Sequence, residues 1–167
     1  MSRPLEGLRV VEFGTFVSAP YCGKLFAGYG AEVIKVEPPG GDIARAHGPF
    51  PRGEPNPEAS ALFLYLNTGK QSVVLDPRQP ADRERLLRLI ATADVLIENY
   101  RPADLRALGI DFATLAERNP RLVMVSITPF GQSGPYADYR GNNLIAFAMG
   151  GQMYITGTPE GDRKSVV

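Results

Sequence analysis

A turn after the first apolar segment and an acidic residue after the second could together bind a dinucleotide. Residues 14–20 (GTFVSAP) follow one apolar run, and Glu37 ends the next. In nicotinamide-binding domains an acid at this place holds the adenosine ribose, and the glycines of G-x-G-x-x-G let the backbone approach the pyrophosphate. Here the large side chains of Phe16 and Val17 stand where the backbone should be free to approach the pyrophosphate. An NAD-binding domain is therefore the weaker alternative, and Glu37 is expected to be a solvated strand end.

The side chains that most often bind metals or act as nucleophiles are scarce. The single cysteine, Cys22, excludes an intramolecular disulfide. Because there is also only one histidine, His47, carboxylates are the only numerous side chains that could bind a metal. His47 lies in a Pro/Gly-rich segment and is expected at the surface, whereas Cys22 is expected to be a small apolar filler within a helix. Ser133 lacks the G-x-S-x-G context of a nucleophile elbow. We predict no metal site.

The elements that must position any site alternate between strands and helices. Apolar runs predict strands at 8–13, 32–36, 72–75, 94–97 and 122–127, the last fully apolar and buried. Helices are predicted at 20–29, 80–91, 103–108 and 112–118, with an apolar stretch at 144–149; Gly30 closes the first helix and Asp111 caps the fourth. This alternation predicts an α/β fold with a Rossmann-like parallel sheet and flanking helices. Residues 38–57 are expected to form a long exposed loop.

The composition is that of an ordinary globular chain. The 167 residues carry 18 basic and 18 acidic side chains, so the balanced charge argues against a general nucleic-acid binder. The N-terminus lacks the apolar core of a signal peptide, and no apolar run reaches the roughly 18 residues of a membrane span. We expect a soluble, cytoplasmic protein without a membrane partner.

Several ordered motifs are too particular to be generic. They are residues 4–13 (PLEGLRVVEF), 30–42 (GAEVIKVEPPGGD), 66–70 (LNTGK), 94–102 (DVLIENYRP) and 126–135 (SITPFGQSGP). In this order they closely resemble the opening of class III CoA-transferases, the family of formyl-CoA transferase, carnitine dehydratase, bile acid-inducible protein F and α-methylacyl-CoA racemase. The resemblance covers the whole chain.

The resemblance implies a chemistry and a partner molecule. In the family an aspartate attacks the acyl-CoA thioester to give a mixed anhydride, CoA then forms an enzyme thioester, and an acceptor carboxylic acid leaves carrying CoA. Coenzyme A or acyl-CoA is thus expected as a substrate, without a metal. The residues that the resemblance places along CoA are Val17, Ser18, Leu75, Arg78, Asn99, Tyr100, Arg101, Arg140, Gly141, Asn142 and Asn143. Guanidinium groups among them suit phosphate and purine.

Three positions depart from the family pattern. Pro38 and Ala107 stand where family members often have arginine, so neither is counted as a site residue. The racemase branch has a histidine where this chain has Asn142, which cannot act as a general base. Racemase activity is therefore disfavoured.

The resemblance also places the nucleophilic aspartate outside this chain. In the family it lies a short stretch beyond the Gly150-Gly151 pair, and we expect that position to fall after Val167. Asp162 is expected to be a turn residue, and the last residues, 164–167, to enter a further strand. The expected domain organisation is residues 1–167 as the N-terminal part of the large domain, without the small second domain.

Two hypotheses of different class remain open. The chain is either part of a CoA-transferase that is inactive by itself, or a short non-catalytic protein that binds CoA or a partner subunit. Family members are interlocked homodimers, so we also expect the isolated chain to self-associate.

Overall fold

Five parallel strands form a single sheet in the computed structural model, which describes residues 3–156. The sheet order is β3-β2-β1-β4-β5, and each pairing is parallel. The strands are β1 Arg9–Phe13, β2 Glu32–Glu37, β3 Gln71–Val74, β4 Val95–Glu98 and β5 Val123–Ser126. Each predicted strand lies within about one residue of its observed bounds, and the predicted parallel α/β fold is confirmed.

The helices connect the strands and cover both faces of the sheet. They are α1 Ser18–Gly28, α2 Ala61–Asn67, α3 Pro80–Ala91, α4 Pro102–Leu108, α5 Phe112–Arg118, α6 Asn143–Met149 and α7 Gln152–Ile155. Asp111 caps α5 as predicted, because its carboxylate accepts the backbone N–H of Thr114. Gly30 has φ +103° just beyond α1, a conformation that suits glycine at a helix end. No helix among residues 3–156 combines the length and apolar character needed to cross a bilayer.

Two apolar layers hold the sheet between the helices. On one face Val11, Phe13 and Leu96 pack with the buried side chains of α3, α4 and α5. On the other face Val10 and Ile97 pack with apolar side chains of α1, and Cys22 lies against this layer as predicted. Burial raises the pKa of the Cys22 thiol, and the neighbouring Glu12 adds to the shift.

The segment after β2 is more ordered than its composition predicts. Short 3₁₀ helices occupy Ile43–Ala46 and Pro51–Gly53, and α2 follows without having been predicted. Most of residues 38–57 are exposed, yet Asp42 and Ala44 are buried. The prediction of a wholly exposed loop is therefore wrong at these two residues, because Asp42 folds back to accept hydrogen bonds beneath the turn that follows β1.

Glu37 is buried, and its prediction as a solvated strand end is wrong. Arg45 pairs with both of its carboxylate oxygens, at 2.8 and 2.9 Å. The Ser72 hydroxyl and the Asp42 backbone N–H also donate to it, at 2.6 and 2.9 Å. Burial alone would raise the pKa of Glu37, but these hydrogen bonds outweigh burial and lower the pKa to about 2.

The last strand, β5, was predicted to be buried, which is wrong for Val123–Ser126. Val123 is 58% exposed, and Met124, Val125 and Ser126 are only partly buried. The reason is position, since β5 is an edge strand among residues 3–156 and pairs only with β4. Asp162 and residues 164–167, for which a turn and a strand entry were predicted, lie outside the described residues.

Candidate functional site

The carboxyl ends of β1 and β4 meet at one edge of the sheet, where the strand order reverses direction. From β1 the chain runs to β2 on one side, while β4 pairs with β1 on the other. In open parallel sheets the loops that follow two such strands diverge and leave a crevice, which is the usual ligand site. The segments that border this crevice are residues 14–18, 99–101 and 127–143, and we call it the β1–β4 cleft.

The turn after β1 is held closed by Asn99. The Asn99 side chain accepts the backbone N–H of Thr15 at 2.9 Å and donates to the Thr15 carbonyl at 2.8 Å. It also donates to the Ser18 hydroxyl at 3.1 Å. Gly14 makes this approach possible, because a Cβ there would overlap the Ala19 side chain and lie 2.9 Å from Asn99 Oδ1. Asn99 thus shapes the cleft by binding its backbone.

The same turn is anchored from below by Asp42. Phe16 has φ +66°, an uncommon conformation for a residue with a side chain. Its backbone N–H donates to Asp42 Oδ1 at 3.0 Å. The Phe16 ring also contacts the ring of His47, with centroids 5.0 Å apart. His47 is itself exposed, as predicted.

Two adjoining cavities make up the β1–β4 cleft. Their volumes are about 510 and 420 Å³, and Ser18, Asn99, Pro129 and Gly141 line both. Most of the predicted site residues converge here, namely Val17, Ser18, Asn99, Arg101, Arg140, Gly141, Asn142 and Asn143. Gly141 is required by close packing, because a Cβ there would lie 2.9 Å from Pro129 Cβ.

Three of the predicted residues do not line the cleft. Leu75 is 6% exposed and belongs to the core. Arg78 pairs with Asp76 at 2.8 Å on the surface beyond β3, with β2 lying between that strand and β1. Tyr100 stacks on Phe13 at 4.6 Å, and burial raises its pKa. A ligand in the cleft would have to extend along the sheet edge to meet Arg78.

The two arginines that line the cleft differ in whether a carboxylate pairs with the guanidinium group. Two guanidinium nitrogens of Arg101 donate to the Asp104 carboxylate, Nε at 2.8 Å and Nη2 at 2.7 Å. Arg140 is exposed and has no anionic partner among residues 3–156. Arg140 is therefore the cleft cation most available to an incoming phosphate.

The carboxylates near the cleft already have an ion-pair or hydrogen-bond partner within the protein. Among residues 3–156, Asp104 is the one acidic residue that lines either cavity, and it is paired with Arg101. Glu98 is fully buried and accepts the Tyr100 backbone N–H at 2.7 Å. Burial raises the pKa of Glu98, with Ser126 and the Tyr100 N–H opposing it. Among the described residues no group of three or more His, Cys, Asp or Glu side chains is arranged to hold a metal ion.

Sequence reasoning missed several residues that shape the cleft. Thr15, Phe16, Pro129, Tyr139 and Ala146 line its cavities but were not predicted. Nothing in the local sequence indicates the left-handed backbone of Phe16, because that conformation depends on the distant Asp42. A larger cavity of about 610 Å³ lies between α4, α5 and β5. Its arginine, Arg106, already pairs with Asp138 at 2.8 Å, and it contains no predicted site residue.

The comparisons with known proteins agree with one another. The family described as CoA-transferase family III matches residues 5–166. The chain is 44% identical over 161 residues to succinate–glutarate CoA-transferase of Agrobacterium fabrum, covering 95% of this chain and 40% of that protein. It is 41% identical over 163 residues to subunit BbsE of succinyl-CoA:(R)-benzylsuccinate CoA-transferase of Thauera aromatica, covering 98% of this chain and 39% of that one.

Solved structures show the same similarity in three dimensions. A CaiB/BaiF family protein from Brucella suis matches with a TM-score of 0.87 and 40% identity, over 99% of this chain and 44% of that chain. A structure of Rv3272 from Mycobacterium tuberculosis matches with a TM-score of 0.86 and 37% identity, over 99% and 45% respectively. The chain thus spans about 40% of the length of the curated relatives it matches.

Proposed function

The chain belongs to CoA-transferase family III, and from that premise we propose that it serves in transfer of CoA from an acyl-CoA to a carboxylic acid, with the β1–β4 cleft binding CoA. The two named curated relatives are a succinate–glutarate CoA-transferase and a subunit of a succinyl-CoA:(R)-benzylsuccinate CoA-transferase. Acyl-CoA and a carboxylic acid are accordingly the proposed substrates. Residues 1–167 are proposed to be the N-terminal part of the large domain, in a cytoplasmic homodimer.

One observation carries the proposal that CoA binds here. The cleft presents the guanidinium of Arg140, which has no anionic partner among residues 3–156, beside the tightly held backbone of residues 14–18 and the amide side chain of Asn142. A phosphate group pairs well with guanidinium, and the extended remainder of CoA needs a groove rather than a closed pocket. The two adjoining cavities provide such a groove.

We further propose that the nucleophilic carboxylate is not among residues 3–156. Covalent CoA transfer needs an accessible carboxylate that can attack a thioester carbon. In the cleft the candidate Asp104 is neutralised by Arg101, and Glu98 is enclosed in the core with a raised pKa. Residues 3–156 are therefore expected to bind CoA without supplying the nucleophile for its transfer.

Binding is tested by titrating CoA into the purified chain in a calorimeter. Arg140→Ala should weaken binding about tenfold, the loss expected for one charge-assisted hydrogen bond. Arg88→Ala is the matched control, because Arg88 is an exposed arginine on α3 away from the cleft. An equal effect of the two substitutions would contradict the assignment of the cleft.

Transfer is tested by isotope exchange between succinyl-CoA and free succinate. The 167-residue chain should give no exchange above background. Sustained turnover would contradict the proposed lack of a nucleophile and would make Asp162 the first residue to substitute.

The exposed apolar residues of α1 and α2 support the proposed homodimer. Tyr21 and Leu25 on α1 and Tyr29 just after it are each about half exposed, as are Leu64 and Tyr65 on α2. Lys24 lies 3.0 Å from the centroid of the Tyr65 ring, which joins the two helices at this surface. Large apolar side chains exposed on two adjoining helices are typical of protein interfaces.

A further inference from the structure

Four charged side chains are buried together beneath the turn after β1. We call them the buried charge cluster: Glu12, Lys35, Asp42 and Lys70, whose side chains are at most 2% exposed. Lys35 Nζ lies 2.9 Å from Glu12 Oε1 and 2.7 Å from Asp42 Oδ2. Lys70 Nζ lies 2.6 Å from Glu12 Oε2. The two cations and two anions are thus arranged in one alternating chain.

Three members of the cluster form hydrogen bonds with the backbone of the turn after β1 and of the start of α1. Lys35 donates to the Gly14 carbonyl at 3.1 Å, and Asp42 Oδ1 accepts the N–H of Phe16 at 3.0 Å. Lys70 donates to the Pro20 carbonyl at 2.8 Å, in the first turn of α1. The cluster therefore contacts residues 14–20 at their start, middle and end.

A contribution to stability does not by itself explain why the residues of the buried charge cluster are charged. A buried, fully paired cluster is often no more stabilising than apolar side chains of the same volume, because each charge loses its hydration. Charges do supply directional hydrogen bonds at fixed positions, which apolar side chains cannot. The left-handed Phe16 needs such an anchor, because this conformation costs an ordinary residue about 1–2 kcal/mol.

We infer that Asp42 and Lys35 are positioning residues for the CoA site, holding residues 14–18 in the conformation that the ligand contacts. This inference rests on the proposed CoA-binding function. Neither side chain lines the cleft cavities, so both act through the backbone of Gly14 and Phe16. Asn99 holds Thr15 by two further hydrogen bonds, so the turn is fixed both by Asn99 and by the buried charge cluster.

The test uses Asp42→Ala and Asp42→Asn with two readouts, amide hydrogen exchange in the ligand-free chain and the Kd for CoA. In Asp42→Ala the Phe16 amide should lose about tenfold or more of its protection, and CoA should bind about tenfold more weakly. In Asp42→Asn the amide oxygen still accepts from Phe16 but no longer pairs with Lys35, so both losses should be smaller, roughly two- to fivefold. Exchange of the β1 amides should stay protected in both variants.

Asp111→Ala is the matched control, since it removes a helix-capping carboxylate remote from the cleft. If it changes Phe16 exchange and CoA affinity as much as Asp42→Ala does, the positioning role is refuted. The inference is also overturned if Phe16 loses protection while CoA affinity is unchanged. Should Asp42→Ala not fold, unchanged values of both readouts in Asp42→Asn would overturn it instead.

The exchange readout separates this inference from the proposed function. If the unsubstituted chain does not bind CoA, the proposed function fails, and the positioning of a CoA site fails with it. Loss of Phe16 protection in Asp42→Ala would then still establish that the cluster holds the turn. Preserved protection together with normal CoA binding would refute the inference and leave the proposed function intact.

Discussion

The two walls of the β1–β4 cleft are built in different ways. The backbone of the wall after β1 forms hydrogen bonds with the buried charge cluster and with the Asn99 side chain. The wall formed by residues 127–143 follows β5, which is an edge strand among residues 3–156, and the helix α6 that begins at its end has no buried residue. Leu144 and Met149 of α6 are 53% and 55% exposed. One wall is thus preorganised by its own core, whereas the other presents apolar side chains typical of a surface that receives further protein.

The largest expected effect comes from breaking the well-supported wall. Lys35→Ala leaves Glu12 with one cationic partner and Asp42 with none in the cluster. Loss of one partner from a buried ion pair costs about 3–5 kcal/mol of unfolding free energy, because the remaining charge stays desolvated. Urea denaturation followed by circular dichroism measures this loss. A change below 1 kcal/mol would show that water or a rearranged side chain compensates.

Glu37→Gln should have a somewhat smaller effect that depends on pH. The folded-state pKa of Glu37 is about 2, below its ordinary value of 4.5, so its carboxylate stabilises the fold above about pH 4.5. This stabilisation, up to about 3 kcal/mol, is lost as the pH falls from 4.5 toward 2. Denaturation midpoints between pH 7 and pH 3 should therefore fall less steeply in Glu37→Gln than in the unsubstituted chain. Parallel slopes would contradict the assignment.

Breaking an exposed ion pair near the wall that follows β5 should lower the unfolding free energy much less. Arg106 and Asp138 are paired at 2.8 Å, but their side chains are 55% and 50% exposed. Arg106→Ala should lower the unfolding free energy by about 0.2–1 kcal/mol, since solvent screens exposed pairs. The same urea denaturation, run beside Lys35→Ala, gives the comparison directly. Equal losses would mean that burial does not distinguish the two walls.

The smallest effect on stability is expected where apolar side chains are already exposed. Leu144 is 53% and Ile155 71% exposed, so Leu144→Ser/Ile155→Ser should change the unfolding free energy by no more than about 0.5 kcal/mol. The double variant should nevertheless self-associate less than the unsubstituted chain, because exposed apolar area drives association. Sedimentation velocity over a range of concentrations measures this. A chain that is already monomeric at high concentration would contradict the prediction.

Local patterns predicted the elements well and the environment of charged residues poorly. The strands were found because buried parallel strands are continuous apolar runs such as residues 95–97, and Pro80 and Asp111 marked helix starts. Glu37 was misjudged because its partners Arg45 and Ser72 come from a 3₁₀ helix and another strand. The burial of β5 was overestimated because apolar composition alone does not reveal that a strand lies at the edge of the sheet, as β5 does among residues 3–156.

The sequence by itself determined the family, the parallel α/β order of the elements and the group of residues expected near CoA. Ordered motifs and periodic apolar runs are local properties, so they can be read along the chain. Only the tertiary structure decided that Arg101 is neutralised while Arg140 has no anionic partner within the described residues 3–156, and that Asp42 reaches Phe16 across 26 positions of sequence. Such pairings depend on which strands become neighbours and on which side chains lose water together. Those are properties of the folded chain and not of any segment of it.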